Sequence, residues 1–286
     1  MWIFLNDRFV TREQAVVSVF DHGFLYGDGV YETLRSYGRR VFMLHKHLAR
    51  LERSASLIDL EIPIPGKDWP GLLQEALERN SLEDAYLRIT VSRGEGEIGL
   101  DPMLCPRPTV VIVAKPLPQY PPQLFDRGVS LALVSVRRNL SSALSPQIKS
   151  LNFLNNILAK QEADRAGAFD AVMLNAEGFV TECSTSNLFF VHNGRLCTPS
   201  TEAGILDGIT REIILLLAGE QAIPLEQGLY TPAVLRGAQE CFLTNTTMEV
   251  MPVCEIDASP VGSGLPGPIT TRLRSLFHAN LSRFLE

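Results

Sequence analysis

In the stretch SPQIKSLNFLNNILAKQEA, Leu151, Leu154, Ile157 and Leu158 recur at helical spacing, and Lys149 stands just before the pattern begins. An ammonium at a helix start faces the positive end of the helix dipole, where a cation is disfavoured by up to about 1 kcal/mol. A lysine that works as a neutral amine, nucleophile or base, suits that place.

Three other stretches carry chemistry-bearing residues. In GILDGITREIILLLA, Gly204 and Gly208 free the backbone and Thr210 reads as the N-cap of a helix. The amides of Ile209 and Thr210 then point out of a helix N-terminus, an arrangement that binds phosphate; an ordinary capped helix is the other reading. GFVTECSTSNLFFV places Glu182 in an apolar, hydroxyl-rich hairpin, where a carboxylate needs a partner because an unpaired buried charge is costly. An exposed strand position or an internal salt bridge also accounts for Glu182. TNTTMEVMPV sets Thr244, Thr246 and Thr247 in a turn after a strand. A lysine able to lose its proton, a phosphate cup with an arginine and a buried carboxylate are together what pyridoxal phosphate requires. The lysine forms the Schiff base, the cup holds the phosphate, and the carboxylate keeps the pyridine nitrogen protonated.

Other signals are weaker. RGEGEIG satisfies Gly-x-Gly-x-x-Gly at Gly94, Gly96 and Gly99, but LDPMLCPRP cannot continue as a helix, and Glu95 and Glu97 would repel a pyrophosphate. It reads as a loop near the site. His45 and His47 read as exposed or capping, no HExxH spacing occurs, and no metal site is expected.

The elements that must position these residues follow from periodicity. WIFLNDRFV reads as a hairpin around Asn6-Asp7 and GVYETLRSYGRRVFML as another turning at Gly38. Leu44, Leu48, Leu51, Ala55 and Ile58 form one face of a helix, WPGLLQEALERNSL forms a second, and AYLRITVSR and TVVIVAKPL read as core strands. PLPQYPP breaks regular structure, since proline lacks the amide donor and fixes its own φ, and marks a linker. Beyond it come the strand VSLALVSV, the Lys149 helix, two hairpins across AVMLNAEGFVTECSTSNLFFVHNGRLCTP and the buried helix TREIILLLAGEQ, with an Asn-Gly turn at Asn193.

A length of 286 residues with 45% apolar and 20% charged content suits two domains more naturally than one. A formal charge of -6 and a pI near 5.5 argue against nucleic acid or an anionic membrane as partner. No apolar stretch reaches the roughly 18 residues of a membrane span, and no basic leader precedes one. Five scattered cysteines without a CxxC pair fit a reducing cytoplasm.

FLYGDGVYETLR, HLARLERSA, IKSLNFLNNILAKQEA, VTECSTSNLFF, GILDGITRE and TNTTMEVMPV occur in an order that resembles the class IV, or fold type IV, pyridoxal-phosphate enzymes. That family holds branched-chain amino acid aminotransferases, D-amino acid aminotransferases and 4-amino-4-deoxychorismate lyases. The resemblance implies an α/β (α+β) fold: a small N-terminal α/β domain (1–115), a linker (116–128) and a larger, barrel-like C-terminal cofactor-binding domain (129–286). It also implies a homodimer with active sites at the domain and subunit boundary. By motif, Lys149 matches the Schiff-base lysine and Glu182 the carboxylate on the pyridine nitrogen. Arg50, Ile209, Thr210 and Thr246 match the phosphate ligands. Tyr26, Tyr31, Thr33, Tyr86, Arg88 and Thr247 match positions that contact substrate. Phe153 stands where branched-chain aminotransferases usually carry a tyrosine bonded to the cofactor's ring oxygen. Tyr86-Leu87-Arg88 and GEIGLDP favour transfer of an amino group between a branched-chain L-amino acid or glutamate and a 2-keto acid. Thr33, with GIL before DGITR, is similar to the lyases, which eliminate pyruvate; a D-amino acid or amine aminotransferase is the further alternative.

Overall fold

The computed structural model describes residues 1–286, which divide into two units: Met1–Pro118 with Ile148–Phe153 and Phe284–Glu286, and Gln119–Gln147 with Leu154–Arg283. In the first unit, β1 (Trp2–Leu5) and β2 (Arg8–Thr11) form the hairpin read at Asn6-Asp7. The short helix α1 (His22–Tyr26) is capped by Asp21, whose Oδ1 accepts from the Gly23 amide at 2.8 Å. β3 (Gly29–Tyr37) turns at Gly38 and Arg39, both at positive φ, into β4 (Arg40–Val41). The helices α2 (Leu44–Ser56) and α3 (Trp69–Arg79) and the strands β5 (Ala85–Ser92) and β6 (Thr109–Pro116) complete the unit.

Its sheet runs β2-β1-β6-β5-β3-β4, antiparallel throughout. Strand alternation sorts the faces. Leu34, Leu87, Ile89, Val91, Ile112 and Ala114 join Leu51, Trp69, Leu73 and Leu77 of the helices in one core. Tyr31 and Thr33 lie on the other face, opposite Thr90 and Arg88 in register.

Lys149 is not at a helix start. The Tyr31 amide donates to the Lys149 carbonyl at 3.0 Å, the Leu151 amide donates to the Gly29 carbonyl at 2.9 Å, and Val30 and Ser150 form a bridge. With the Lys149 amide donating to Ser54 Oγ at 3.2 Å, the backbone here is committed to β3 and α2, and the helix begins only at Leu154. The dipole argument therefore does not apply to this lysine.

In the second unit, a short helix α4 (Pro122–Arg127) stands within the stretch read as linker; proline is tolerated in a first helical turn, where its missing donor has no partner to lose. The strand β7 (Val129–Arg137), helix α5 (Leu154–Arg165) and strands β8 (Asp170–Leu174), β9 (Val180–Cys183), β10 (Asn187–His192) and β11 (Arg195–Pro199) follow. Then come α6 (Ile209–Glu220), β12 (Leu225–Gly228), α7 (Pro232–Arg236), β13 (Glu240–Asn245), β14 (Glu249–Ile256), β15 (Ser259–Pro260) and α8 (Pro268–Ala279). α5 buries the small side chains of Ala159 and Ala163 against Ala171 and Met173, while Leu154, Ile157 and Leu158 of the apolar stripe are 62%, 48% and 45% exposed.

The sheet order is β12-β11-β10-β13-β14-β7-β8-β9, with β15 on β14. Laid flat, β9 and β10 would lie five strand spacings apart, roughly 24 Å. The chain from Cys183 to Asn187 reaches at most about 14 Å. The sheet must therefore curl back on itself, and the Cys183 amide closes the link on the Ser186 carbonyl at 2.8 Å. That is the barrel-like architecture anticipated for the larger domain.

Candidate active site

In the first unit, Lys149 Nζ donates to the Tyr31 hydroxyl at 3.0 Å and lies 4.4 Å from the centre of the same ring. The Arg88 guanidinium covers that ring at 4.0 Å, and Phe153 packs against it with centroids 5.0 Å apart. Tyr31 is thus set by three neighbours and is 8% exposed. Tyr86 shares the strand face with Arg88, and Lys115 Nζ lies 4.8 Å from its ring. A surface of cations held over aromatic rings suits a small carboxylate-bearing molecule. Thr33 is the register partner of Arg88. Tyr26 stands apart: its ring meets His22 edge-on at 4.9 Å, and its hydroxyl accepts from the Gly99 amide of the RGEGEIG loop at 3.3 Å.

Arg50 lies on the core side of β3, in a cluster that composition does not advertise. Its Nε and Nη2 donate to the two oxygens of Glu32 at 2.6 and 2.8 Å, and His47 Nδ1 meets Glu32 Oε2 at 2.7 Å. His47 is neither exposed nor capping, because it and Glu32 are wholly buried and Arg50 is 5% exposed. Burial alone would raise the Glu32 carboxyl; the adjoining Arg50 guanidinium and its hydrogen bonds, with His47, outweigh that and hold it well below the usual carboxylate range. Burial lowers the His47 pKa, Glu32 pulling the other way. His47, Arg50 and Ser54 fall on one stripe of α2, a polar i, i+3, i+7 pattern that a helical reading of HKHLARLERSAS contains.

In the second unit, Glu182 is 5% exposed and is an internal ion pair, one of the readings open from sequence. Arg138 Nη2 lies 2.9 Å from Oε1, while Oε2 accepts from Asn187 Nδ2 at 3.2 Å and from the Leu206 amide at 3.1 Å. Arg138 is itself held, Nη1 donating to Asn156 Oδ1 at 3.3 Å, and Asn156 donating to the Ser184 carbonyl at 2.7 Å. Sequence reasoning missed Arg138 and Asn187. Arg138 had no motif to mark it, although Asn187 lies in the same hairpin as Glu182.

Asn187 also ties Glu182 to α6. Its Nδ2 donates to the Leu206 carbonyl at 2.9 Å, and its Oδ1 would sit 1.9 Å from a Cβ at Gly208. Gly208, not Thr210, is the N-cap, because the Glu212 amide closes the first turn on the Gly208 carbonyl at 2.9 Å. Ile209 and Thr210 are then the first two helical residues, whose amides have no intrahelical acceptor. Thr246 and Thr247 lie half-buried in the turn between β13 and β14, where Asn245 Oδ1 accepts from the Thr247 amide at 3.0 Å.

These residues fit the cofactor expected from sequence. The hydroxyls of Thr210 and Thr244 are buried without a hydrogen-bond partner, and a buried hydroxyl left so is costly. A phosphate at the α6 N-terminus would satisfy the outward amides there and could take up the Thr210 hydroxyl of the same first turn, and a carboxylate paired with Arg138 suits a protonated ring nitrogen.

The chain matches the family model "Amino-transferase class IV" over residues 29–256. A Methanocaldococcus jannaschii protein named "Putative branched-chain-amino-acid aminotransferase" is 43% identical over 97% of this chain and 95% of its own. The D-alanine aminotransferase of Listeria monocytogenes is 36% identical over 97% of this chain and 95% of its own. The T.th. branched-chain amino acid aminotransferase, solved with pyridoxamine 5'-phosphate, superposes with a TM-score of 0.95 at 31% identity, covering 100% of this chain and 97% of that one.

Proposed function

The chain belongs to the class IV aminotransferase family, and from that membership we propose that it moves an amino group from a branched-chain L-amino acid or glutamate to a 2-keto acid. It is a pyridoxal-5'-phosphate-dependent enzyme of fold type IV. When bound, the cofactor supplies the electron sink that lets a substrate α-proton leave. Lys149 takes and returns that proton at Nζ, with the Tyr31 hydroxyl 3.0 Å away to orient it. Glu182, held by Arg138, would face the ring nitrogen of the bound cofactor and accept its hydrogen bond. By their motifs, Arg50, Thr246 and the N-terminus of α6 at Ile209 and Thr210 would hold the phosphate. Tyr26, Tyr31, Thr33, Tyr86, Arg88 and Thr247 receive the substrate, Arg88 as a carboxylate partner.

The observation that carries the branched-chain reading is the 43% identity to the M. jannaschii protein along nearly the whole chain. A second reading, transfer from D-alanine, is supported by the Listeria relative. The absorbance spectrum of the protein loaded with pyridoxal phosphate separates them. Loss of the visible band on adding L-leucine or L-glutamate without a keto acid is the expected result. Loss with D-alanine alone favours the second reading, and a band that ignores all three favours the pyruvate-eliminating lyase. Lys149→Ala should abolish the visible band and turnover while leaving the circular dichroism of the fold; an active variant would overturn the role of Lys149.

The proposal includes a homodimer, supported by apolar side chains such as Phe24 at 72% exposure in the first unit and Leu154 at 62% in the second. It also includes a cytoplasmic place, supported by five free cysteines, four of them buried. No helix is long and apolar enough to cross a membrane.

A further inference from the structure

We propose that Glu32 and His47 are positioning residues that set the Arg50 guanidinium for the cofactor phosphate, an inference that rests on the phosphate role given to Arg50 above.

The three side chains form a charged knot beside the apolar core of the first unit, Glu32 and His47 wholly buried and Arg50 nearly so. Hydrophobic residues of the same volume often replace such an ion pair without loss of stability, so stability alone is a weak reason for it. Its geometry points to orientation instead. Glu32 takes Arg50 side-on through Nε and Nη2, at 2.6 and 2.8 Å. Two parallel bonds to a planar fork fix both the plane and the direction of the guanidinium, and turn its Nη1 edge away from the carboxylate. His47 then keeps Glu32 from rotating. A carboxylate only accepts, so Nδ1 carries the hydrogen at 2.7 Å, and burial favours the neutral imidazole. One turn further along α2, Ser54 Oγ accepts from the Lys149 amide at 3.2 Å, so the same helix face also holds the segment bearing the lysine.

The arrangement has an electrostatic cost, and that makes it testable. A carboxylate against Arg50 cancels charge that would otherwise attract phosphate. If Glu32 were only a counter-charge, removing it would tighten phosphate binding; if it positions Arg50, removing it loosens that binding.

The experiment measures the affinity of the full chain, freed of cofactor, for pyridoxal 5'-phosphate and for pyridoxal, which lacks the phosphate. In Glu32→Gln and His47→Leu the preference for the phosphorylated form should fall about tenfold or more, the scale of a misplaced charge-assisted hydrogen bond. His47→Asn, whose amide can replace the Nδ1 donor, should restore most of it. In an Arg50→Gln background, Glu32→Gln should add little. A preference unchanged or raised in both Glu32→Gln and His47→Leu overturns the proposal, as does an equal loss for both ligands, which marks plain structural damage. If Glu32→Gln fails to fold, His47→Leu and its Asn counterpart carry the test alone. Wild-type protein that binds no pyridoxal phosphate would overturn the functional reading itself, a separate outcome from a wild type that binds while the variants change nothing.

Discussion

His47 ties one buried proton to the stability of the first unit. Its folded pKa lies below the ordinary 6.5, because burial disfavours the imidazolium more than Glu32 favours it, with Arg50 and Lys149 adding to the lowering. The unfolded chain therefore takes up a proton at this residue before the folded chain does. The stability it contributes is present above pH 6.5 and is lost as pH falls through the lower folded value. Glu32 acts in a different window: its folded pKa is below 4.5, so its contribution is lost only at more acidic pH. Between pH 7 and 5, wild type should lose stability more steeply than His47→Asn, by up to about 1.4 kcal/mol per pH unit, with the other histidines common to both proteins. Urea unfolding at three pH values reads the difference, and equal slopes would sink the assignment. This residue also shows what the sequence could not convey. Glu182 stands out as a carboxylate in an apolar hairpin and Lys149 by the motif around it, although the helix start read for Lys149 is absent, whereas the burial of His47 depends on Glu32, 15 positions away on another element. Likewise the ion-pair partner of Glu182 is Arg138, 44 positions earlier, just past the end of β7 with no motif around it.

Among the elements, α6 carries the most consequence per residue. Gly208 has φ -77° and ψ 135°, a backbone any residue adopts, so its requirement for glycine is purely one of space. A Cβ there would lie 1.9 Å from Asn187 Oδ1 and 3.1 Å from its Cγ. Gly208→Ala should therefore push Asn187 off both Glu182 and the Leu206 carbonyl, costing roughly 1–3 kcal/mol as overpacking does and weakening pyridoxal phosphate. The steric part should largely vanish on an Asn187→Ala background, since two groups in contact do not act additively. A thermal melt and a cofactor titration of the four proteins complete that cycle; additive losses would mean that Gly208 matters for another reason. Strands and helices were legible here because alternation and helical spacing survive in a single chain: β3, β5, α2 and α3 lie where their patterns put them. Helix starts were less legible. Thr210 has the composition of a cap, but the cap of α6 is Gly208, two residues earlier, and the extended segment of Lys149 looks helical until β3 claims its backbone.

For the whole molecule, the fold type was legible because six motifs occur in one order across nearly the entire chain, and the curled sheet follows from one short link between β9 and β10. The joining of residues 148–153 and 284–286 to the first unit is invisible to a linear reading, because their partners, Gly29, Tyr31 and Val41, lie more than a hundred positions away. Assembly is the remaining whole-molecule question, and each unit bears on it separately. In the second, Leu154, Ile157 and Leu158 are exposed on one side of α5, opposite the buried alanines. In the first, Val16, Val19 and Phe24 around α1 are 73%, 63% and 72% exposed. Apolar side chains grouped in this way mark a surface that associates. The protein should therefore sediment at twice 31.6 kDa, and Leu154→Glu or Phe24→Glu should bring it to 31.6 kDa. Neither position is buried in the protomer, so either substitution should change protomer stability by no more than about 0.5 kcal/mol and leave the circular dichroism unchanged. A wild type that sediments at 31.6 kDa would remove the dimer from the proposal. A dimer unmoved by both substitutions would place its interface elsewhere, and would leave the exposed face of α5 for some other partner.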